Sequence, residues 1–149
     1  MKLKYIPLSK RSEKKKLRDA IGKLDFEILK IKRGNKCEIH NKPCANLGRM
    51  HILPISKYSR LEFTEINIIL AGWYCSHFYF HHNSDNPRAI EAKKRILELR
   101  GHTNWEDLLT ELKILHETMP RHTKFYLQLL YHAKQRELEE LTKCKDIRY

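Results

Sequence analysis

The sequence predicts a mostly helical α+β fold, with a compact ββα core between one N-terminal helix and about three C-terminal helices. Apolar residues recur with helical periodicity before residue 34 and after residue 87. Between them, residues 37–87 hold turn formers, cysteines, histidines and two short β-prone runs. Because 149 residues suffice for one ordinary hydrophobic core, we expect a single domain over residues 1–149.

Residues 10–33 are predicted to form a basic amphipathic helix. Apolar side chains at steps of three and four residues share one face, namely Leu17, Ile21, Leu24, Ile28 and Ile31. Ser9 or Ser12 can cap the start of the helix, and Gly34 is a typical stop. The opposite face is expected to be solvated, to face phosphate, or both.

The central segment is expected to supply two strands and the start of a helix. The β-prone runs cover residues 49–55 and 66–74, and the chain is expected to turn helical after Cys75. Such a helix would place His77 and His81 one turn apart on the same face. Aromatic residues here, Trp73 included, are expected in the core.

Three more helices are predicted over residues 88–149. The first covers residues 89–100 and ends at Gly101. Residues 103–106 resemble a capping box that opens a second helix to about residue 117. Pro120 interrupts the pattern, and a long helix follows over residues 122–143.

The charge of the chain favours a polyanionic partner. Lysine and arginine total 30 against 18 acidic residues, a formal charge of +12. Because the cations are spread from Lys2 to Arg148, a nucleic acid is a better partner than a membrane surface. The sequence has neither a membrane-spanning apolar run nor a secretory signal at its start, so we expect a cytoplasmic protein.

A structural zinc site is predicted from cysteine and histidine spacing. Four ligands that could close a tetrahedral shell are Cys37, His40, Cys44 and Cys75. In a C-x-x-C motif ending at Cys75, the first cysteine would be at position 72, where this sequence has a glycine. The alternative is that the thiols are buried and inert.

Histidine and asparagine then recur in an order that resembles the HNH (ββα-metal) endonuclease family. His51 lies in the first β-prone run, Asn67 follows sixteen residues later, and His77 and His81 follow the second run. The segments Arg49–Pro54, Tyr58–Leu61 and Gly72–Cys75 look closest to HNH proteins carried by bacteriophages. The resemblance covers about residues 37–87, and a phage origin would place the protein in the host cytoplasm.

The resemblance implies a metal-dependent DNA endonuclease that hydrolyses phosphodiester bonds. His51 would be the general base that activates water, and Asn67 would hold the loop geometry around it. His77 and His81 would ligate one divalent metal (magnesium, manganese, nickel or zinc) that stabilises the leaving 3′-oxygen.

Two features depart from the family pattern. Met50 stands where members often have a further ligand, Asp or His, which leaves the third ligand open, with His82 as one candidate. The interval from Asn67 to His77 is one residue longer than the commonest spacing.

Contacts with DNA are expected from seven cations, each with a solvated charge as the alternative: Arg49, Lys57, Arg60, Lys14, Lys15, Lys16 and Arg18. The protein would nick or cut duplex or branched DNA, and a junction or flap nuclease of phage recombination is one variant. A zinc-stabilised DNA-binding protein without catalysis is the main alternative, and a cysteine enzyme using Cys75 and His77 is a minor one. The oligomeric state stays open, a homodimer included.

Overall fold

The computed structural model describes residues 12–77 and 85–146, with side chains up to residue 144, and confirms a mostly helical α+β fold. The elements are α1 (Glu13–Arg33), β1 (Leu47–His51), β2 (Ile68–Gly72), α2 (Pro87–Leu99), α3 (Trp105–Thr118) and α4 (Lys124–Asp146). Two short 3-10 turns, Ser59–Leu61 and Glu65–Asn67, lie between the strands. None of the described helices is both long and apolar enough to span a membrane.

The ends of α1 follow local signals in the sequence. Ser12 caps the helix, because its hydroxyl accepts a hydrogen bond from the Lys15 amide at 3.3 Å. Gly34, with φ of 85°, ends it. Residues 10 and 11 of the predicted helix, and Ser9 as an alternative cap, lie outside the described residues.

The two strands form an antiparallel pair in which His51 lies opposite Ile68 and Leu47 opposite Gly72. Both strands are shorter than the β-prone runs that predicted them. β1 ends at His51 because the chain then leaves the strand pairing. The Leu53 amide donates to the side-chain oxygen of Asn67 at 2.8 Å and not to a backbone carbonyl of β2. β2 ends at Gly72 because the chain turns helical immediately afterwards.

The C-terminal helices begin at side-chain caps. Asn104, and not Thr103 as a capping box would require, caps α3, since its side-chain oxygen accepts from the amides of Glu106 and Asp107 at 2.8 and 3.4 Å. An asparagine one residue before the helix satisfies the first free amides without the box. Gly101, with φ of 69°, follows α2 as predicted.

Helices cover both faces of the strand pair. Ile68 and Leu70 pack with Leu29 of α1, whereas Ile69 and Ala71 belong to the main core with α2 and α3. Every residue of β2 is therefore buried. This explains why its sequence is a continuous apolar run without alternation.

A buried ionic cluster ties α1, β1 and α4 together. Asp25 of α1 is fully buried. Its carboxylate pairs with the Arg49 guanidinium at 3.0 Å and with the Lys134 ammonium at 2.8 Å. Both cations are largely buried, and Asp25 is the nearest carboxylate to each, although Lys134 also lies 3.7 Å from the Glu137 carboxylate.

We expect Asp25→Ala to lower the free energy of unfolding by about 3–5 kcal/mol, because it takes the carboxylate partner from the buried Arg49 and leaves Lys134 only the more distant Glu137. Urea unfolding followed by circular dichroism measures the change. Glu139→Ala, which removes an exposed carboxylate from α4, is the matched control and should change stability little. Equal effects of the two substitutions would contradict the interpretation.

Candidate metal centre and catalytic cavity

A tight turn brings Cys37 and His40 together in front of the sheet. The Cys37 amide donates to the Lys42 carbonyl at 2.9 Å, and the Asn41 amide donates to the Cys37 carbonyl at 2.7 Å. Asn41 adopts a φ of 56°, which asparagine tolerates better than most residues. The turn leaves Cys37 Sγ 3.9 Å from His40 Nδ1.

Cys75 reaches the same point from beyond β2. Its sulfur lies 3.0 Å from His40 Nδ1. The ligand atoms of Cys37, His40 and Cys75 all lie within 4.8 Å of one another, so this cluster could hold a metal ion. Of the predicted zinc ligands, these three are thus brought together.

Cys44, the fourth predicted ligand, lies beside the cluster. A Cβ added to Gly72 would lie 2.6 Å from Cys44 Sγ and 3.6 Å from Cys75 Sγ, so the two sulfurs approach the same point. The Cys44 sulfur therefore occupies the space that a side chain at position 72 would need. This explains why a glycine stands where a paired motif would have a cysteine.

Burial and neighbouring groups shift the pKa values of two residues of the cluster. Burial, followed by the neighbouring thiols Cys37 and Cys44, raises the pKa of Cys75 to about 12. The pKa of His40 is lowered by burial and then by the nearby cations of Arg88, Lys42 and Arg95. Neutral imidazole and clustered thiols form a donor set of nitrogen and sulfur, which fits a soft or borderline metal.

We expect Gly72→Ala to weaken metal retention by on the order of tenfold, because the new methyl group would displace the Cys44 sulfur. Competition with a chromogenic chelator measures the metal affinity. Gly48→Ala in β1 is the matched control, since its Cβ would meet nothing closer than 3.5 Å. Equal metal release by the two variants would show that Cys44 is no ligand.

His51 stands at the end of β1 with one ring nitrogen fixed. Its Nε2 lies 3.0 Å from the Glu62 carbonyl oxygen. Because a carbonyl only accepts, Nε2 carries the proton and Nδ1 keeps its lone pair. Burial is the main cause that lowers the pKa of His51. The ring is therefore neutral at pH 7 and able to accept a proton at Nδ1.

Asn67 is fully buried, and its side chain is hydrogen-bonded to the loop between the strands. Its side-chain oxygen accepts from the Leu53 amide at 2.8 Å, and its amide group donates to the carbonyls of Leu53 and Leu61 at 3.2 and 3.4 Å. These contacts fix the chain immediately after His51.

His51 and His77 line the same small cavity, of about 200 Å³, together with Arg49, Met50, Trp73 and Ser76. The His77 ring stacks on the Trp73 indole at a centroid distance of 4.6 Å. Trp73 is 58% exposed, so its predicted place in the core is wrong. It lies at the turn from strand to helix, which lifts it out of the sheet. His81 and His82 lie outside the described residues.

No protein-family model matches the chain. No curated protein and no solved structure matches it either. The resemblance to HNH nucleases therefore stays a prediction that rests on the residues themselves.

Arg49 is held inside the protein. Its Nη1 donates to Asp25 at 3.0 Å and to the Glu62 carbonyl at 3.2 Å, and its side chain is only 14% exposed. This arrangement favours a structural role over the predicted contact with DNA, because a guanidinium already compensated by a buried carboxylate has little charge left for phosphate.

The other predicted DNA contacts lie near the start of α1 and in the loop after β1. Lys14, Arg18, Lys57 and Arg60 line a second, larger cavity. The side chains of Lys15 and Lys16 are exposed on α1. Sequence reasoning missed Arg121 and His122, which line that cavity too. No local pattern could have joined them to α1, since they lie about a hundred residues further along the chain.

Proposed function

We propose that this protein is a metal-dependent DNA endonuclease of the HNH type. The observation that carries the proposal is the shared cavity. The antiparallel pair puts His51 at the end of its first strand and His77 just beyond its second, so that both side chains line one space. Asn67 fixes the loop that follows His51. The order and the placement are those expected for a ββα nuclease core.

In this proposal His51 is the general base. Its Nδ1 accepts a proton from the attacking water, while the hydrogen bond from Nε2 to the Glu62 carbonyl holds the ring in place. His77, with His81 from outside the described residues, would hold one divalent metal. When bound, that metal supplies stabilisation of the charge on the leaving 3′-oxygen.

The Cys37, His40, Cys44 and Cys75 cluster would hold a structural zinc ion in the same proposal. Three thiols and one imidazole match the ligands of closed zinc sites. The ion would tie the turn at residues 37–42 to the helical start at Cys75, and so hold His77 in its place beside His51.

Plasmid nicking tests the proposal. We expect relaxation of supercoiled DNA only when magnesium, manganese, nickel or zinc is added, loss of nicking on chelation, and recovery when metal is restored. DNA binding without cleavage in any of these metals would instead support the zinc-stabilised DNA-binding protein. Faster cleavage of a four-way junction or a flap than of linear duplex would assign the junction or flap variant.

A further inference from the structure

A basic cleft of about 460 Å³ lies where three distant segments meet. Lys14 and Arg18 come from α1, Lys57 and Arg60 from the loop between the strands, and Arg121 and His122 from the link before α4. Five of these side chains carry a permanent positive charge, and no acidic residue is found among the described residues of the lining. Such a surface attracts anions.

Two of the guanidinium groups are already held in position. Arg18 donates to the Glu62 carboxylate through Nε at 2.8 Å and lies within 2.7 Å of it through Nη2. Arg60 Nη1 donates to three backbone carbonyls at the end of α3, at 3.1 to 3.2 Å. Carbonyls carry no net charge, so these bonds fix Arg60 without neutralising it, whereas the Glu62 carboxylate compensates the charge of Arg18. A preorganised cation such as Arg60 binds an anion with a smaller decrease in side-chain entropy.

A histidine with an unpartnered ring nitrogen also lines the cleft. The Nδ1 atom of His116 is buried with no hydrogen-bond partner within the part of the chain that the structure describes. Buried ring nitrogens are normally satisfied.

Shared lining residues place the cleft near the cavity of His51. Arg18 also lines a neighbouring cavity along α1 that Arg49 lines together with Asp19 and Glu62. Arg49 in turn lines the cavity of His51 and His77. A polymer with regularly spaced phosphates can contact cations from all three segments of the cleft at once.

We infer that this cleft binds the phosphodiester backbone of DNA, with Lys57 and Arg121, the exposed cations of its lining outside α1, as principal phosphate-binding residues. One part of this inference rests on the proposed function, namely that the bound phosphates lie next to the cleaved bond. The binding of DNA does not rest on it, since binding needs only the cations of the cleft. Each cation that neutralises a phosphate contributes to affinity mainly through release of condensed counterions, so its removal is visible in the salt dependence.

The test measures binding of a fluorescent duplex oligonucleotide over a range of salt concentrations, in a His51→Ala background that prevents cleavage. We expect Lys57→Gln with Arg121→Gln to raise Kd by on the order of tenfold or more near 0.1 M salt. The slope of log Kd against log salt should fall by about two, roughly one for each cation removed from a phosphate.

Lys113→Gln with Arg136→Gln is the matched control, because it removes the same charges from exposed positions on α3 and α4. Equal changes in the cleft and control pairs would overturn the inference. An unchanged slope of log Kd against log salt would overturn it too. The same holds if the Lys57→Gln, Arg121→Gln variant no longer binds phosphatidylserine vesicles but still binds DNA. Nicking by the wild-type chain is measured separately. If the wild type nicks DNA and the Lys57→Gln, Arg121→Gln variant binds DNA normally, the inference about the cleft is refuted and the proposed nuclease is not. If binding is sensitive to salt but the wild type does not nick DNA, the proposed nuclease is refuted and the inference about the cleft is not.

Discussion

Replacing Cys75 with serine is expected to release the proposed structural metal and to lower the free energy of unfolding by on the order of 3 kcal/mol or more. Cys75 joins the start of the helix after β2 to the turn at residues 37–42. In structural zinc sites the binding free energy is largely folding free energy, and a hydroxyl group replaces a thiolate poorly. Metal content per chain and thermal unfolding, measured on the same preparations, check the result.

Cys144→Ser is the control, because Cys144 is an exposed cysteine near the end of α4. It should keep both metal and stability. The wild-type protein stripped of metal should unfold like the Cys75→Ser variant, since both lack the same ion. A wild-type chain that is purified without metal, and whose stability Cys75→Ser does not change, would identify the cluster as buried thiols.

The sequence predicted those parts of the fold that depend on neighbouring residues. Ser12 and Gly34 act on amides and backbone angles within one turn, so the bounds of α1 were close to the prediction. The ends of β1 depend instead on a distant residue, because the Asn67 side chain takes the Leu53 amide. Nothing in the run of residues 49–55 reveals that contact, and the strand was therefore predicted too long.

The same distinction holds for the candidate sites. The order of cysteines and histidines predicted a metal cluster, but the reason for Gly72 became visible only when Cys44 was seen in the space beside it. The pairing of Arg49 with Asp25 was not predicted, because the two residues lie in different elements. Pairing of buried charges is set by packing between helices and strands, which a single sequence does not display.

Replacing His51 with alanine is expected to reduce the rate of metal-dependent nicking by about 10²–10⁴-fold, the usual contribution of a general base. The fold should survive the change. The Glu62 carbonyl that bonds to His51 also accepts from Arg49 at 3.2 Å, so it keeps a donor when the imidazole is gone. Single-turnover nicking of supercoiled plasmid measures the rate, and thermal unfolding of the same sample verifies the fold.

Added imidazole should restore part of the activity of His51→Ala, because the missing side chain leaves room in the cavity for a diffusible base. A variant that had merely misfolded would not respond. His132→Ala, which removes an exposed histidine from α4, should nick at the wild-type rate with or without imidazole. If His51→Ala keeps full activity while folded, the Nδ1 atom of His51 is not the base, and the shared cavity with His77 has another purpose.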